Sequence, residues 1–510
     1  MNTGMPRDHD IKRQFLRFIA WTVFWILASR LFYLQVMRGG YYRTLSENNY
    51  TRPVVERASR GLVVDRDGRV LCRNRVAFSI MLDLSRSGSL KDTLAFLQHL
   101  VGLDITPKQV RERQRVSAVW NKVIIKRDIP VTWVERIEAH QNECPQVEIE
   151  TELKRDYPYG SYLGHALGYV GLISPSDARH MNIKNPDPLM QVGKSGVEKV
   201  ANRMLMGKPG LRIAQVNSTG REIEDPSFRL PGVGVQKKPV PGKTVKLTID
   251  MKLEELLENA FGDQTGSALF MNPKTGAILA WVSMPEYDPN MFSGSMTAAQ
   301  WKKLADSPKH PLLDRPIQGA YPPGSSFKPF VALVGLQTGV ITPSTTFFCP
   351  GYWVFGGRVF HCWKRGGHGT VNVYTAIQES CNVYFYHLGD LLGIQKLAEW
   401  GHHFGLGQPT GIDLPGEISG IMPSPSWKKA HHLGPWYPGD TLPVAIGQGY
   451  LTVTPMQLLS FYATIANGGT RVRPHINKER TKIDDHVDVS DSALNVVKHA
   501  LWRVVNDGGT

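Results

Sequence analysis

Tyr321-Pro322-Pro323-Gly324-Ser325-Ser326-Phe327-Lys328-Pro329-Phe330 sets a hydroxyl and an amine three residues apart, directly after a Pro/Gly turn. A helix starting there places positions i and i+3 on one face, so Lys328 can approach the Ser325 hydroxyl. Serine is a weak nucleophile at its free pKa. A neighbouring amine must take its proton, and desolvation lowers a lysine pKa toward that task. A helix N-terminus also presents backbone N–H groups to a developing oxyanion. The S-x-x-K spacing is not selective alone: Ser426-Trp427-Lys428-Lys429 satisfies it too and reads as a surface turn.

Downstream, Ser380-Cys381-Asn382 sets a hydroxyl and an amide two positions apart, where both can point into one cleft from a loop. Ser380 is suited to relay a proton to a leaving group, and Asn382 to hold a substrate amide and Lys328. S-x-N is weaker still as a signal, since Ser46-Glu47-Asn48 also matches. The conjunction of the two motifs is what carries weight.

Working outward, 510 residues exceed one ordinary core and suit two or three domains. Apolar residues at 42% and charged residues at 20% exclude wholesale disorder and a polytopic membrane protein. The net charge of +14 suits nucleic acid, an anionic membrane surface or an acidic polymer, and five cysteines exclude a disulfide scaffold. Phe15 to Met37 is the one long apolar run. It is broken by Arg17 and Arg30, leaving an uninterrupted core, Phe18 to Ser29, shorter than the about 20 residues of a spanning helix. Arg30 can snorkel, and Phe32-Tyr33-Leu34 continues the apolar character. With no A-x-A cleavage site after it and Arg7, Lys12, Arg13 and Arg17 before it, the run reads as a retained anchor with a cytoplasmic N-terminus.

The expected organisation is a cytoplasmic tail (1–17), a transmembrane anchor (18–38), a pedestal (39–235) and a catalytic domain (240–510). Within the pedestal, Asp67-Gly68 marks a hairpin, and residues 88–145 form a head with helices at Leu90–Val101, Pro107–Val116 and Val131–Gln141. The Pro/Gly-rich stretch 225–243 is the boundary. Beyond it, strands (Val245–Ile249, Ser267–Asn272, Ala277–Ser283) alternate with helices (Lys252–Ala260, Lys328–Gln337, Val373–Ser380), an α/β or α+β pattern.

The motif pair resembles the penicilloyl-serine transferase superfamily, defined by S-x-x-K, S-x-N and K-T-G. The wider chain resembles the elongation-type class B penicillin-binding proteins. The resemblance rests on Leu34-Gln35, the stretch Arg60-Gly61 to Gly68, Gly193 to Lys199, Asn272 to Ala280, Thr410 to Glu417 and Ile446 to Tyr450, with Gly367-His368-Gly369 pointing to the elongation type. It implies an α+β multidomain protein: one transmembrane helix, an elongated pedestal, and a serine β-lactamase-like domain with a central antiparallel sheet flanked by helices. It implies a periplasmic D,D-transpeptidase in which Ser325 attacks the D-Ala-D-Ala carbonyl of a stem peptide, Lys328 is the general base, and Ser380 and Asn382 form the second motif. β-Lactams would acylate the same serine. Implied partners are the inner membrane, a RodA-like glycosyltransferase and a periplasmic elongation scaffold, with no nucleic acid. A serine β-lactamase or D,D-carboxypeptidase shares the first two motifs but does not need region 41–225; an inactive or penicillin-sensing scaffold is the non-catalytic alternative.

The third motif is absent in its expected place. Lys274-Thr275-Gly276 precedes the nucleophile and Lys194-Ser195-Gly196 lies in the pedestal, so neither is in order, and the catalytic domain is expected to be C-terminally incomplete. No cofactor is required for acyl transfer. Cys349, Cys362 and Cys381 lie close together, with His361 and His368 between them, and three thiolates with an imidazole suit tetrahedral zinc, although the spacing matches no compact finger. The resemblance favours zinc beside the site, on Cys349, Cys362, His368 and Cys381, with His361 as the substitute. A Cys349–Cys362 disulfide and free buried thiols are the alternatives.

Overall fold

The structure, a computed structural model, describes residues 8–42, 51–84, 88–117, 122–183, 190–215, 234–293, 296–480 and 484–510. The chain separates into two compact units: Met1–Ser59 with Gly207–Pro241, and Arg60–Met206 with Gly242–Thr510.

In the first unit, Asp8–Phe32 is α-helical and Tyr33–Met37 continues it as a π-helical turn. Lys12–Met37 is long and apolar enough to cross a membrane, with mean hydropathy 1.5 and none of it buried within the protein. Arg30 does not end the helix; its guanidinium lies 5.5 Å from the Tyr33 ring centroid. The helical span is therefore longer than the uninterrupted apolar core suggests. The unit also holds an antiparallel sheet of Thr51–Glu56, Gly210–Gln215 and Gly234–Lys237. Residues 225–233 of the Pro/Gly-rich stretch lie outside the described residues.

The second unit is organised around three apolar clusters. The head core is built on the long strand Val70–Asp83, which pairs antiparallel with both Lys122–Ile129 and Val147–Asp156. Helix Leu90–Val101 lies against it because Leu94, Leu97 and Val101 share one face. Ser89 caps its first turn, and Gly102, at φ 69°, ends it. Helices Pro107–Ser117 and Val131–Ala139 form as expected. The Asp67-Gly68 turn joins Val63–Val64 to the long strand, again as expected.

The second cluster joins residues 63–205 to residues 245–476, with Trp281, Ile317 and Met456 fully buried. A charged lock lies in the 60–206 part: Glu198 accepts from Arg60 Nε and Arg155 Nε at 2.6 Å each, and Arg60 also donates to Asn202. Lys194-Ser195-Gly196 belongs here, and Gly196, at φ 55°, would bring a Cβ within 2.5 Å of the Gly168 backbone.

The third cluster surrounds helix Lys328–Gln337. That segment is apolar on every side, and Lys328 through Gly335 are all buried, so it runs through the centre of the domain. Helix Asn382–His403, kinked at Gly393, packs against it. Gly266–Met271 and Ile278–Met284 pair antiparallel across the Asn272–Gly276 turn, which contains Lys274-Thr275-Gly276. The strand expected at Val245–Ile249 is confined to Val245–Lys246, after which Leu247 only bridges Asn477. Ser426 to Lys429 is no turn: Pro425–Ala430 is a short helix capped by Ser424, with Ser426 and Lys429 both exposed.

Candidate active site

Ser325 sits in a 3-10 turn, Gly324–Phe327, that precedes the α-helix proper, which begins at Lys328. The expected placement in the first α-turn is thus shifted by one element. Residues i and i+3 still eclipse in a 3-10 turn, so the pair stays on one side. Gly324, at φ 57°, lets the chain enter the turn, and its N–H donates to the Gly447 carbonyl at 2.8 Å. Gly447 must itself be glycine: at φ 76°, a Cβ would lie 2.0 Å from the Gly324 oxygen. Tyr462 OH donates to the Ser326 carbonyl at 2.8 Å and holds the turn from the other side.

Ser380 follows helix Val373–Gln378 and stands in the left-handed region at φ 53°. For a serine this is an uncommon backbone state. It swings the chain from one helix into the next, so that Ser380 and Asn382, the first residue of helix Asn382–His403, both reach the nucleophile helix.

The structure brings all four expected residues together. Lys328 Nζ donates to Asn382 Oδ1 at 2.7 Å, to the Ser380 carbonyl at 2.7 Å and to Ser380 Oγ at 2.9 Å. Ser380 Oγ in turn donates to Ser325 Oγ at 3.0 Å. The direct Lys328–Ser325 approach is therefore replaced by one routed through Ser380, because Asn382 and Ser380 take all three ammonium donors. Ser325 is exposed, whereas Lys328 is 1% exposed. Burial pushes the Lys328 ammonium down to about 8, against the opposing pull of Cys362 and Cys381.

Two neighbours were not anticipated. The Phe385 ring lies 5.7 Å from Lys328 Nζ and covers the amine with an apolar face. Its i+3 relation to Asn382 was a usable signal, hidden by reading this stretch as a loop. Asn382 Nδ2 also donates to the His361 carbonyl at 3.3 Å, so His361 contributes its backbone rather than its ring.

Cys349, Cys362, His368 and Cys381 form one cluster, with a donor atom of each within 4.8 Å of every other. His361 is not among the four. All five cysteines are free thiols, so no disulfide joins Cys349 to Cys362. His368 Nδ1 lies 3.6 Å from Cys349 Sγ and 3.5 Å from Cys362 Sγ. Tetrahedral zinc, with bonds of about 2.3 Å to sulfur and about 2.0–2.1 Å to nitrogen, places such atoms about 3.6 Å apart, so the donor set fits the ion. A hydrogen bond between the Cys362 and Cys381 thiols pulls Cys362 down and pushes Cys381 up, as when one proton is shared between two sulfurs. The outer ring nitrogen of His368 is buried without a hydrogen bond, 3.8 Å from a Glu379 oxygen.

Comparison with known proteins extends beyond the site. Residues 266–510 match the penicillin binding protein transpeptidase domain, and residues 55–247 match the penicillin-binding protein dimerisation domain. The peptidoglycan D,D-transpeptidase MrdA of Escherichia coli K12 is 35% identical over 499 residues, covering 95% of this chain and 77% of that protein. The Helicobacter pylori penicillin-binding protein PBP2, solved in complex with MreC, superposes with TM-score 0.79 at 30% identity, covering 89% of this chain and 85% of the other. A chain of a peptidoglycan synthase complex that coordinates polymerization and crosslinking superposes with TM-score 0.70 at 30% identity, covering 99% of this chain and 85% of the other. With both domains, the whole-chain similarity and the converging Ser325, Lys328, Ser380 and Asn382 in agreement, this chain belongs to the elongation-type class B penicillin-binding proteins, the penicillin-binding protein 2 family of peptidoglycan D,D-transpeptidases.

Proposed function

We propose that Ser325 is the acylated nucleophile of stem-peptide cross-linking and that Lys328 acts on it through Ser380. The observation that carries this reading is the continuous Lys328–Ser380–Ser325 hydrogen-bond chain. With Lys328 neutral, both hydroxyls rotate so that Ser325 donates to Ser380 and Ser380 to the amine. Ser325 Oγ then bonds to the penultimate D-Ala carbonyl carbon while its proton passes to Ser380 and the Ser380 proton to Lys328. The peptide C–N bond breaks, and terminal D-Ala departs as an amine with a proton returned along the same chain. An amine of a second strand attacks the ester carbonyl, gives up a proton to the chain, and releases Ser325. Asn382 holds Lys328 and offers its amide toward the substrate. A β-lactam carbonyl enters the first half of this sequence and stops at the ester. Fluorescent penicillin tests the assignment: labelling should vanish in Ser325→Ala, and labelling that persists refutes Ser325 as the nucleophile.

The Cys349, Cys362, His368 and Cys381 set is our proposed zinc site. Bound zinc would act structurally, tying the Cys349–Cys362 region to Cys381 and so to Ser380 and Asn382 on either side of it. The domain limits we propose are a tail over 1–17, an anchor over 18–38, a pedestal over 39–235 and a transpeptidase domain over 240–510. The apolar helix supports a single-pass inner-membrane protein with its catalytic domain in the periplasm. The complex of the Helicobacter pylori relative with MreC, and the relative in a peptidoglycan synthase complex that coordinates polymerization and crosslinking, support a periplasmic scaffold and a glycosyltransferase as partners.

A further inference from the structure

A cavity of about 220 Å³ lies between residues 165–196 and residues 287–318 and shares no residue with the Ser325 site. At about 30 Å³ per water it has room for roughly seven waters, below the about 300 Å³ at which drug-sized sites begin. One sugar-sized ring is the scale it suits.

Its walls are chemically selective. No lysine or arginine lines it, so it offers nothing to a phosphate or carboxylate. Tyr169 and Phe292 stack on each other with centroids 4.0 Å apart, and Tyr287 meets Phe292 edge-on at 5.3 Å. These faces are engaged with one another and do not form the open aromatic box that captures an ammonium group. Trp301, at 48% exposure, is the lining ring with a broad free surface.

The polar lining is sparse. His165 is 5% exposed, and its Nε2 has no hydrogen-bond partner. Burial pushes that imidazole down to about 4, so it is uncharged at neutral pH. Asp314 gives one oxygen to Trp281 Nε1 at 3.1 Å, and burial raises its carboxyl to about 7. Gln318 adds an amide. His165 Nε2 has almost no accessible surface, so the polar groups a ligand in the cavity can reach are those of Asp314 and Gln318. A ligand carrying hydroxyls on an apolar ring can hydrogen-bond to a carboxyl and an amide and stack its C–H face on an aromatic surface.

We propose that this cavity binds a neutral sugar residue, with its C–H face on Trp301 and its hydroxyls on Asp314 and Gln318. Naming a cell-wall glycan strand as the source rests on the transpeptidase reading above; the sugar chemistry does not. Such a contact would hold the glycan at the junction of the two segments while the stem peptide reaches Ser325.

The test uses the full chain in detergent micelles, titrated by calorimetry with N,N′-diacetylchitobiose, maltose and tetramethylammonium. Saturable binding of chitobiose or maltose, weakened about tenfold by Trp301→Ala and reduced by Gln318→Leu, is the expected result. Fluorescent-penicillin labelling of both variants should match the parent, which shows that they fold and that the Ser325 reading stands independently. Absence of saturable sugar binding overturns the proposal. So does sugar binding that both variants leave unchanged, or binding of tetramethylammonium alone.

Discussion

Lys328 donates to both the carbonyl and the hydroxyl of Ser380, at 2.7 and 2.9 Å, while Ser325 is reached through that hydroxyl. The carbonyl contact fixes the backbone of a serine held at φ 53°. The hydroxyl contact makes that serine the only hydrogen-bonded link from the amine to the nucleophile among the described residues. On the proposed mechanism, one residue thus serves both as hinge and as proton path.

Ser380→Gly separates the two roles. Glycine adopts the left-handed state without strain, so the hinge survives while the hydroxyl is lost. The acylation rate with fluorescent penicillin should fall by about 10²–10⁴, the usual worth of a positioned proton-transfer group. A fall below about threefold would mean that Lys328 acts without Ser380.

The pH profile has a definite sign. Burial lowers Lys328 to about 8, and on the proposed mechanism the base is its neutral amine. Acylation should therefore rise with pH, reach half its plateau near 8, and level off above. A profile already flat from pH 6 upward would identify a different base.

The motifs were legible because each is short and local. Ser325, Lys328, Ser380 and Asn382 follow from the conjunction of two short motifs and the family resemblance, and the burial of helix Lys328–Gln337 follows from its apolar interior, Pro329 to Leu336. The route between them was not legible. It depends on the backbone state of Ser380 and on which donors Asn382 takes from Lys328, and neither is written in residue types. The strand at Val245 was over-read for a similar reason: its apolar alternation persists to Ile249, but only two residues find a ladder partner. Arg30 breaks the apolar run without breaking the helix, so the length of the helix is not legible from the uninterrupted run alone.

Zinc, if bound, should be found at about one equivalent per chain by metal analysis. Chelation should lower the melting temperature and slow penicillin acylation together, since Cys381 lies between Ser380 and Asn382. Cys349→Ser, remote from the second motif in sequence, should reproduce both effects. Less than about a tenth of an equivalent in freshly purified protein would end the zinc reading.

Glu198 is fully buried between Arg60 and Arg155. Removing one partner of a buried ion pair leaves charge uncompensated and typically costs about 3–5 kcal/mol. Glu198→Ala leaves two buried guanidinium groups facing each other. Chemical denaturation should show a loss in that range, with Glu198→Gln less damaged because its amide oxygen still accepts. Equal stability of Glu198→Ala and parent would show that the lock is not structural.

Glu254, Glu258 and Glu286 place three carboxylates within 4.8 Å of one another. Each accepts from backbone: Glu254 from Trp281 N at 2.6 Å, Glu286 from Gly164 N at 2.5 Å, and Glu258 from Leu163. Burial raises all three, Glu254 to about 8. A carboxyl whose folded pKa lies above its unfolded value binds more protons in the folded state, so its stabilisation is complete below the unfolded pKa, near 4.5. That stabilisation is lost as pH rises toward 8. The melting temperature should therefore decline from pH 5.5 to pH 9. Zinc affinity changes in the opposite sense, because its ligands must lose protons to bind. The informative quantity is thus the difference between parent and Glu254→Gln. The glutamine keeps an acceptor for Trp281 N and cannot ionise, so its decline should be shallower, and the two curves should diverge most above pH 7. Parallel curves would mean that Glu254 does not hold its proton in the folded protein.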